Sequence, residues 1–255
     1  MTARPAPADP AARRRAELAG TLATLCTRIA RAARAAGRDP ADIQLVAVTK
    51  TFPASDAALL AELGVTDLGE NRDQEAAAKV AEVAGLLPDT RVRWHMVGRL
   101  QRNKARSVAA WADVVESVDS ERLADALDRA ARAALHDGRR REPLDVLVQV
   151  SLDPPEEAEH RGGCLPADVP ALADRVARAP GLVLRGVMAV APLGADPVPA
   201  FERLAGIAAT VRAVHPEADV LSAGMTGDLE VAIAHGSTCV RVGTALLGHR
   251  RLASP

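Results

Sequence analysis

The sequence predicts an α/β protein built as one (β/α)8 barrel of the TIM type, preceded by an extra N-terminal helix. Three observations point there. Eight short β-rich runs alternate with longer Ala-rich amphipathic segments. A length of 255 residues is usual for one such barrel and allows a single large core. Chemically capable side chains collect just after the apolar runs, where barrels of this kind place their ligands. A doubly wound open sheet uses the same alternation and stays open as an alternative on periodicity alone.

The first eight residues read as a disordered lead-in, which leaves residues 9–255 as one domain. A helix runs from about Ala11 to Ala36 and stops at Gly37 and Pro40, a glycine and a proline in the order that ends helices. The strand runs then follow as IQLVAV from Ile43, VTDLG from Val65, RVRWHMVG from Arg91, DVVESV from Asp113, DVLVQV from Asp145, LVLRGVMAV from Leu182, DVLSAG from Asp219 and TCVRVG from Thr238. Helical segments between them include SDAALLAELG, NRDQEAAAKVAEVAG, SERLADALDRAARAALHDG, PADVPALADRVARA, PVPAFERLAGIAATVRAV and GDLEVAIAHG. Several open on Ser, Asp or Pro in capping positions. The polar, Pro- and Gly-bearing stretch from Asp153 to Pro166 follows a strand and reads as a flexible rim over a site.

The chain is 48% hydrophobic and only 2% aromatic, so the core must be built from Ala, Val and Leu. A net charge of -1 with 25% charged residues gives no electrostatic footprint for nucleic acid or an anionic membrane. The basic runs Arg13–Arg15 and Arg139–Arg141 read as solvated faces. No apolar stretch has the length of a membrane span, and the start lacks the apolar core of a signal peptide. Cys26, Cys164 and Cys239 are far apart and without metal-ligand spacing, which fits a reducing cytoplasm and no metal site.

The residues that end the runs are Lys50, Glu70 with Asn71, His95 with Gly98, Ser117, Gln149, Met188, Ser222, and Arg241 with Gly243. Lys50 is one of only three lysines, with Lys79 and Lys104. An amine can form a Schiff base and a guanidinium cannot, and burial would lower its pKa toward the reactive neutral form. The alternative is a strand-end lysine reaching to solvent. Gly-containing turns after the last two strands offer backbone N–H groups and the hydroxyls of Ser222, Thr226 and Thr244 to a phosphate dianion, or serve tight turns alone. Arg241 shares a strand face with Gly243 and points either at a ligand or at a carboxylate on a neighbouring strand. His95 is either a ligand-facing donor or a packed histidine.

From about Ile43 to Gly248 the chain resembles the pyridoxal phosphate homeostasis proteins, the YggS/PROSC family. Five blocks carry the resemblance, in order: LVAVTKTFPASD, LGENRDQEAAAK, WHMVGRLQRNKAR, LRGVMAVAP and LSAGMTGDLEVAIAHGSTCVRVGTALLG. The resemblance implies a barrel similar to the N-terminal domain of alanine racemase, with pyridoxal 5′-phosphate (PLP) held as a Schiff base on Lys50. It places Ser222, Gly243 and Thr244 at the phosphate and Arg241 at the pyridine nitrogen, where a guanidinium keeps that nitrogen unprotonated and weakens the ring as an electron sink. Asn71, His95, Met188 and Met225 would line the pocket. It also implies a cytoplasmic monomer that stores PLP or delivers it to PLP-dependent apoenzymes, without established turnover. Arg72, Arg99, Arg161, and Thr226 with Gly227 depart from the family's usual residues at the pocket rim. The alternative reading is a low-activity PLP-dependent amino-acid racemase or other Schiff-base enzyme. A racemase of the alanine racemase kind also uses a tyrosine from a second domain; this chain has no tyrosine, and no second domain is expected in it.

Overall fold

Short Val- and Leu-rich runs with few polar interruptions suit strands covered on both faces, as in a parallel sheet with crossover helices. In the computed structural model, which describes residues 9–153 and 162–248, all eight runs are strands. They are β1 (Gln44–Val48), β2 (Asp67–Glu70), β3 (Arg93–Met96), β4 (Val114–Val118), β5 (Leu144–Gln149), β6 (Leu182–Met188), β7 (Val220–Ser222) and β8 (Cys239–Val242). Each pairs in parallel with the next, and β8 pairs back onto β1, so the sheet is a closed barrel and not a doubly wound sheet. The first eight residues, Arg161 and most of the stretch before it lie outside the described residues.

Helices α1 (Pro10–Ala35), α2 (Ala54–Glu62), α3 (Asp73–Leu86), α4 (Ala105–Trp111), α5 (Glu121–His136), α6 (Val169–Ala177), α7 (Pro197–Val214), α8 (Leu229–Ala234) and α9 (Thr244–Leu247) surround the strands. Asp9 and Asp196 cap α1 and α7 by accepting from backbone N–H groups two residues on, with Pro in the first turn. The sequence reading passed over α4, whose seven residues make too few turns to show a period. None of the described helices is long and apolar enough to cross a membrane.

The layer between strands and helices is filled as the composition requires, by Leu, Val and Ala, with Phe201 and Trp94 the buried aromatics. α1 packs across α8 and α9 and secures the end of the barrel. The Thr21 hydroxyl donates to the Leu246 carbonyl at 2.8 Å, and the Arg14 guanidinium to the Leu247 carbonyl at 3.1 Å while also pairing with Asp56. A four-residue helix cannot hold itself in water, so these contacts are what keep α9 formed.

Two β-bulges set which side chains enter the barrel. On β4 the pairing with β5 slips between Val115 and Val118, and on β6 Leu184 and Gly186 face consecutive residues of β5, leaving Arg185 as the extra residue. A bulge reverses the alternation beyond it. Val183 and Arg185 therefore share one face before the bulge, whereas Met188 takes that same face after it.

Candidate functional site

The inner face of β1 is fixed by Gly69 of β2, whose missing side chain leaves room for Val46 and Val48. Lys50 follows two residues past the end of β1, in the turn that continues the Val46 and Val48 face toward the barrel mouth. The side chain is exposed at the barrel mouth, so the burial that the sequence reading invoked for the amine is not present. The register Ala47↔Val242 sets Gly243 beside Val48, two residues from Lys50. The amine and the turn before α9 thus share one quadrant of the mouth.

The residues expected at the site fall into two tiers. Lys50, Asn71, Gly243, Thr244 and Met225 lie at the rim, partly or fully exposed. His95, Met188, Ser222 and Arg241 lie beneath it, all buried. At the rim, Asn71 is held by the close approach of Gly98: a Cβ there would stand 2.3 Å from both the Asn71 carbonyl and its Oδ1, so only glycine fits. Thr226 Oγ1 accepts from the Ala245 N–H at 3.3 Å, which ties the β7–α8 loop to the start of α9, and within that loop Asp228 Oδ1 accepts from the Met225 N–H at 2.6 Å. Thr51, next to Lys50, has φ 67°, the one non-glycine in the left-handed region among the described residues.

Behind Lys50, on the helix side of the sheet, the Lys79 ammonium donates to Glu70 Oε1 at 2.6 Å and to the Thr49 carbonyl at 2.8 Å. The Thr49 hydroxyl donates to the same Glu70 oxygen at 2.6 Å. This buried brace fixes the backbone from which Lys50 projects.

Inside the barrel the lower tier is joined by a column of hydrogen bonds. Asp67 Oδ1 lies 3.0 Å from His95 Nε2, and Glu116 Oε1 lies 2.7 Å from His95 Nδ1. The Ser222 hydroxyl donates to Glu116 Oε2 at 2.6 Å, and Arg241 donates to Ser222 Oγ at 2.6 Å and to the Ala189 carbonyl at 2.9 Å. Arg241 also lies 3.6 Å from Glu116 Oε2, so the carboxylate it meets comes from across the barrel and not from a neighbouring strand. An ionised carboxylate only accepts, so a histidine with a carboxylate at each ring nitrogen needs both N–H groups and is an imidazolium. Burial opposes that charge, but the hydrogen bonds to Asp67 and Glu116 outweigh it and hold the His95 pKa above its ordinary value. Burial likewise opposes the Glu116 charge, and His95, Arg241 and Ser222 overcome it and keep its pKa low.

These shifts have opposite consequences for stability. The His95 contribution is complete below the pKa of an unfolded histidine and is lost as pH rises through the raised folded value. The Glu116 contribution is complete above the unfolded glutamate pKa and is lost as pH falls through the lowered folded value. Both are complete only between about pH 4.5 and 6.5, the ordinary values of the two groups. Urea midpoints measured from pH 4 to 9 are expected to decline on both sides of that window. A Glu116→Gln variant should lose part of the acid-side slope, the rest belonging to carboxylates such as Glu230 beside Arg28, and an unaltered slope would remove the assignment.

The sequence reading missed Asp67 and Glu116, and named Ser117 where Glu116 is the inward residue. A carboxylate within VVESV was the available signal, since a charge in a buried strand requires a partner. Burial raises the Cys239 thiol beside Glu116 well above its usual range, so it is not a nucleophile. No cluster that could hold a metal ion occurs among the described residues.

The donor set suits an anionic carbonyl compound: one accessible primary amine, backbone and hydroxyl donors at a turn beside it, and a guanidinium below. Among the described residues, three buried side-chain atoms have no hydrogen-bond partner: Glu70 Oε2, Ser117 Oγ and Ser151 Oγ. All belong to residues at or just past the C-terminal ends of β2, β4 and β5, so unspent hydrogen-bonding capacity gathers at the mouth end.

The closed parallel barrel is of the class to which the family profile described as alanine racemase, N-terminal domain, assigns it, by a match over residues 21–251. Within that class the chain belongs to the pyridoxal phosphate homeostasis protein family. It is 52% identical over 248 residues to the pyridoxal phosphate homeostasis protein of Mycobacterium tuberculosis, covering 95% of this chain and 96% of that one. It is also similar to PipY of Synechococcus elongatus, whose structure was solved with PLP bound, at 35% identity and a TM-score of 0.75 over 91% of this chain and 100% of that one. The alanine racemase of Corynebacterium glutamicum shares the fold, with a TM-score of 0.64 at 14% identity over 94% of this chain and 64% of that one.

Proposed function

We propose that this protein binds PLP through Lys50 and serves intracellular vitamin B6 balance by storing the cofactor or handing it to PLP-dependent apoenzymes. The observation that carries this reading is the placement of Lys50: an exposed amine in the turn just past β1, with Gly243 beside the last residue of that strand. The Lys50 amine would hold PLP through the cofactor's aldehyde, with loss of one water, in a linkage that hydrolysis would reverse. Reversibility suits a store better than a permanent attachment would. Gly243, Thr244 and the Thr226 hydroxyl would meet the phosphate. Arg241 would face the pyridine nitrogen, and Asn71 and Met225 would flank the ring. Ser222 would reach the phosphate only by turning its proton away from Glu116.

The names of the relatives and the PLP-bound PipY structure support this reading. Carriage is favoured over racemisation because the chain has no tyrosine to act as a second acid or base. A cytoplasmic monomer is the setting we infer, in keeping with three free cysteines, one of them exposed. The test is borohydride reduction of the purified protein mixed with PLP, followed by peptide mass analysis. A reduced adduct on the Lys50 peptide, absent from Lys50→Ala, is the expected result. Adduct formation at equal yield in Lys50→Ala would overturn the assignment.

A further inference from the structure

The column beneath the mouth, buried except for the part-exposed Asp67, alternates in charge: Asp67 negative, His95 positive, Glu116 negative, Arg241 positive. Its members come from β2, β3, β4 and β8, and a Ser222 hydroxyl from β7 is inserted between the last two. Such a column costs desolvation at every step. The purely structural need for a barrel interior is met more cheaply by Val and Leu, as at Val46, Val114 and Leu147. What the column achieves that apolar packing would not is directional. Ser222 has one proton, and it goes to Glu116 Oε2, so toward Arg241 the hydroxyl can only accept. Arg241 is then held from three sides, by Ser222 Oγ, the Ala189 carbonyl and the Glu116 carboxylate.

Resting on the reading that Lys50 anchors PLP, we propose that Glu116 and His95 are positioning residues that fix Arg241 and Ser222 beneath the cofactor and set the protonation of the Lys50-bound form. Neither touches the rim. Both act through Arg241 and Ser222 and through the field of their own charges. The groups that face His95 are Asp67 from β2, Glu116 from β4, Arg93 on its own strand, Arg185 from β6, and Asp219 and Cys239 at the start of β7 and β8. His95, Glu116, Arg93, Arg185, Asp219 and Cys239 line one cavity of about 220 Å³ below the column. Arg93 and Arg185 share the Asp145 carboxylate, at 2.5 Å and 2.8 Å, and Arg93 also lies 3.9 Å from Asp67. These groups are the same in wild type and in the variants below, so a difference in midpoint reports the charge removed from the column.

The signs follow directly. Glu116→Gln removes a negative charge below the cofactor, which disfavours protonated forms and lowers the pH midpoint of its visible absorbance. His95→Gln removes a positive charge and raises it. Each shift should be a fraction of a pH unit, because both charges are buried beneath the rim and act on the bound form from below it. A residue with a merely structural role would move thermal stability in both variants without moving the midpoints in opposite directions.

The experiment is an absorbance titration of PLP-loaded wild type, Glu116→Gln and His95→Gln, each with borohydride trapping to verify the linkage. Should Glu116→Gln fail to fold, Asp67→Asn at the outer end of the column carries the same test, with a smaller downward shift. Opposite shifts establish the inference. Unmoved midpoints, or shifts of the same sign, in variants that still trap PLP on Lys50 overturn it alone. Failure of the wild type to trap PLP overturns the anchoring reading beneath it.

Discussion

Replacing Gly186 by Ala is expected to destabilise the protein by more than about 3 kcal/mol, because left-handed strain and overpacking each cost about 1–3 kcal/mol. Gly186 is the pivot of the β6 bulge, with φ 146°, and a Cβ there would stand 1.9 Å from the Val220 carbonyl oxygen and 2.7 Å from its carbon. Those are backbone atoms of β7 that pair with residue 186 itself, so no rotamer change relieves the clash. The strand must either flatten, which turns Met188 out of the barrel, or part from β7. Urea unfolding measures the loss. A change below about 1 kcal/mol would mean that the bulge relaxes without harm and is not what phases β6.

Lys79→Met is expected to cost about 3–5 kcal/mol, the range for removing one partner of a buried ion pair. The ammonium and its partner carboxylate are 9% and 1% exposed, so water cannot replace the lost cation beside Glu70. Glu70 Oε2 already has no partner, and the substitution would leave Oε1 with the Thr49 hydroxyl alone. The double variant Lys79→Met/Glu70→Leu should recover a large part of the loss, since the orphaned charge is the main cost and not the missing attraction. Denaturant midpoints of the two variants settle this. A double variant no more stable than the single one would show that the brace contributes through its geometry.

The barrel was legible because each strand is an apolar run closed by a polar residue, and that pattern survives in a single sequence. Lys50, Asn71, Gly243 and Thr244 were legible for the same reason: their place at the mouth follows from being one or two residues past a strand. The column was not. Glu116 and Arg241 are 125 residues apart and meet across the barrel, and no local period encodes such a pairing. The bulges were also hidden, because one extra residue in β4 or β6 leaves the apolar run intact while changing which side chain points inward. That is why Ser117 was read where Glu116 belongs. His95 stood out in the sequence, and its two readings are not exclusive: it is packed, and it also has a carboxylate at each ring nitrogen.

Thr51 shows how this chain would respond to selection for robustness. A β-branched residue at φ 67° is among the costlier backbone choices, and glycine would relieve it at once. An engineer maximising melting temperature would arrive at Thr51→Gly early. The same change would give the turn that carries Lys50 more conformations to explore, so the pre-set direction of its amine would be exchanged for thermal endurance. A variant library screened on heat resistance alone would therefore loosen the turn beside the amine proposed to hold PLP.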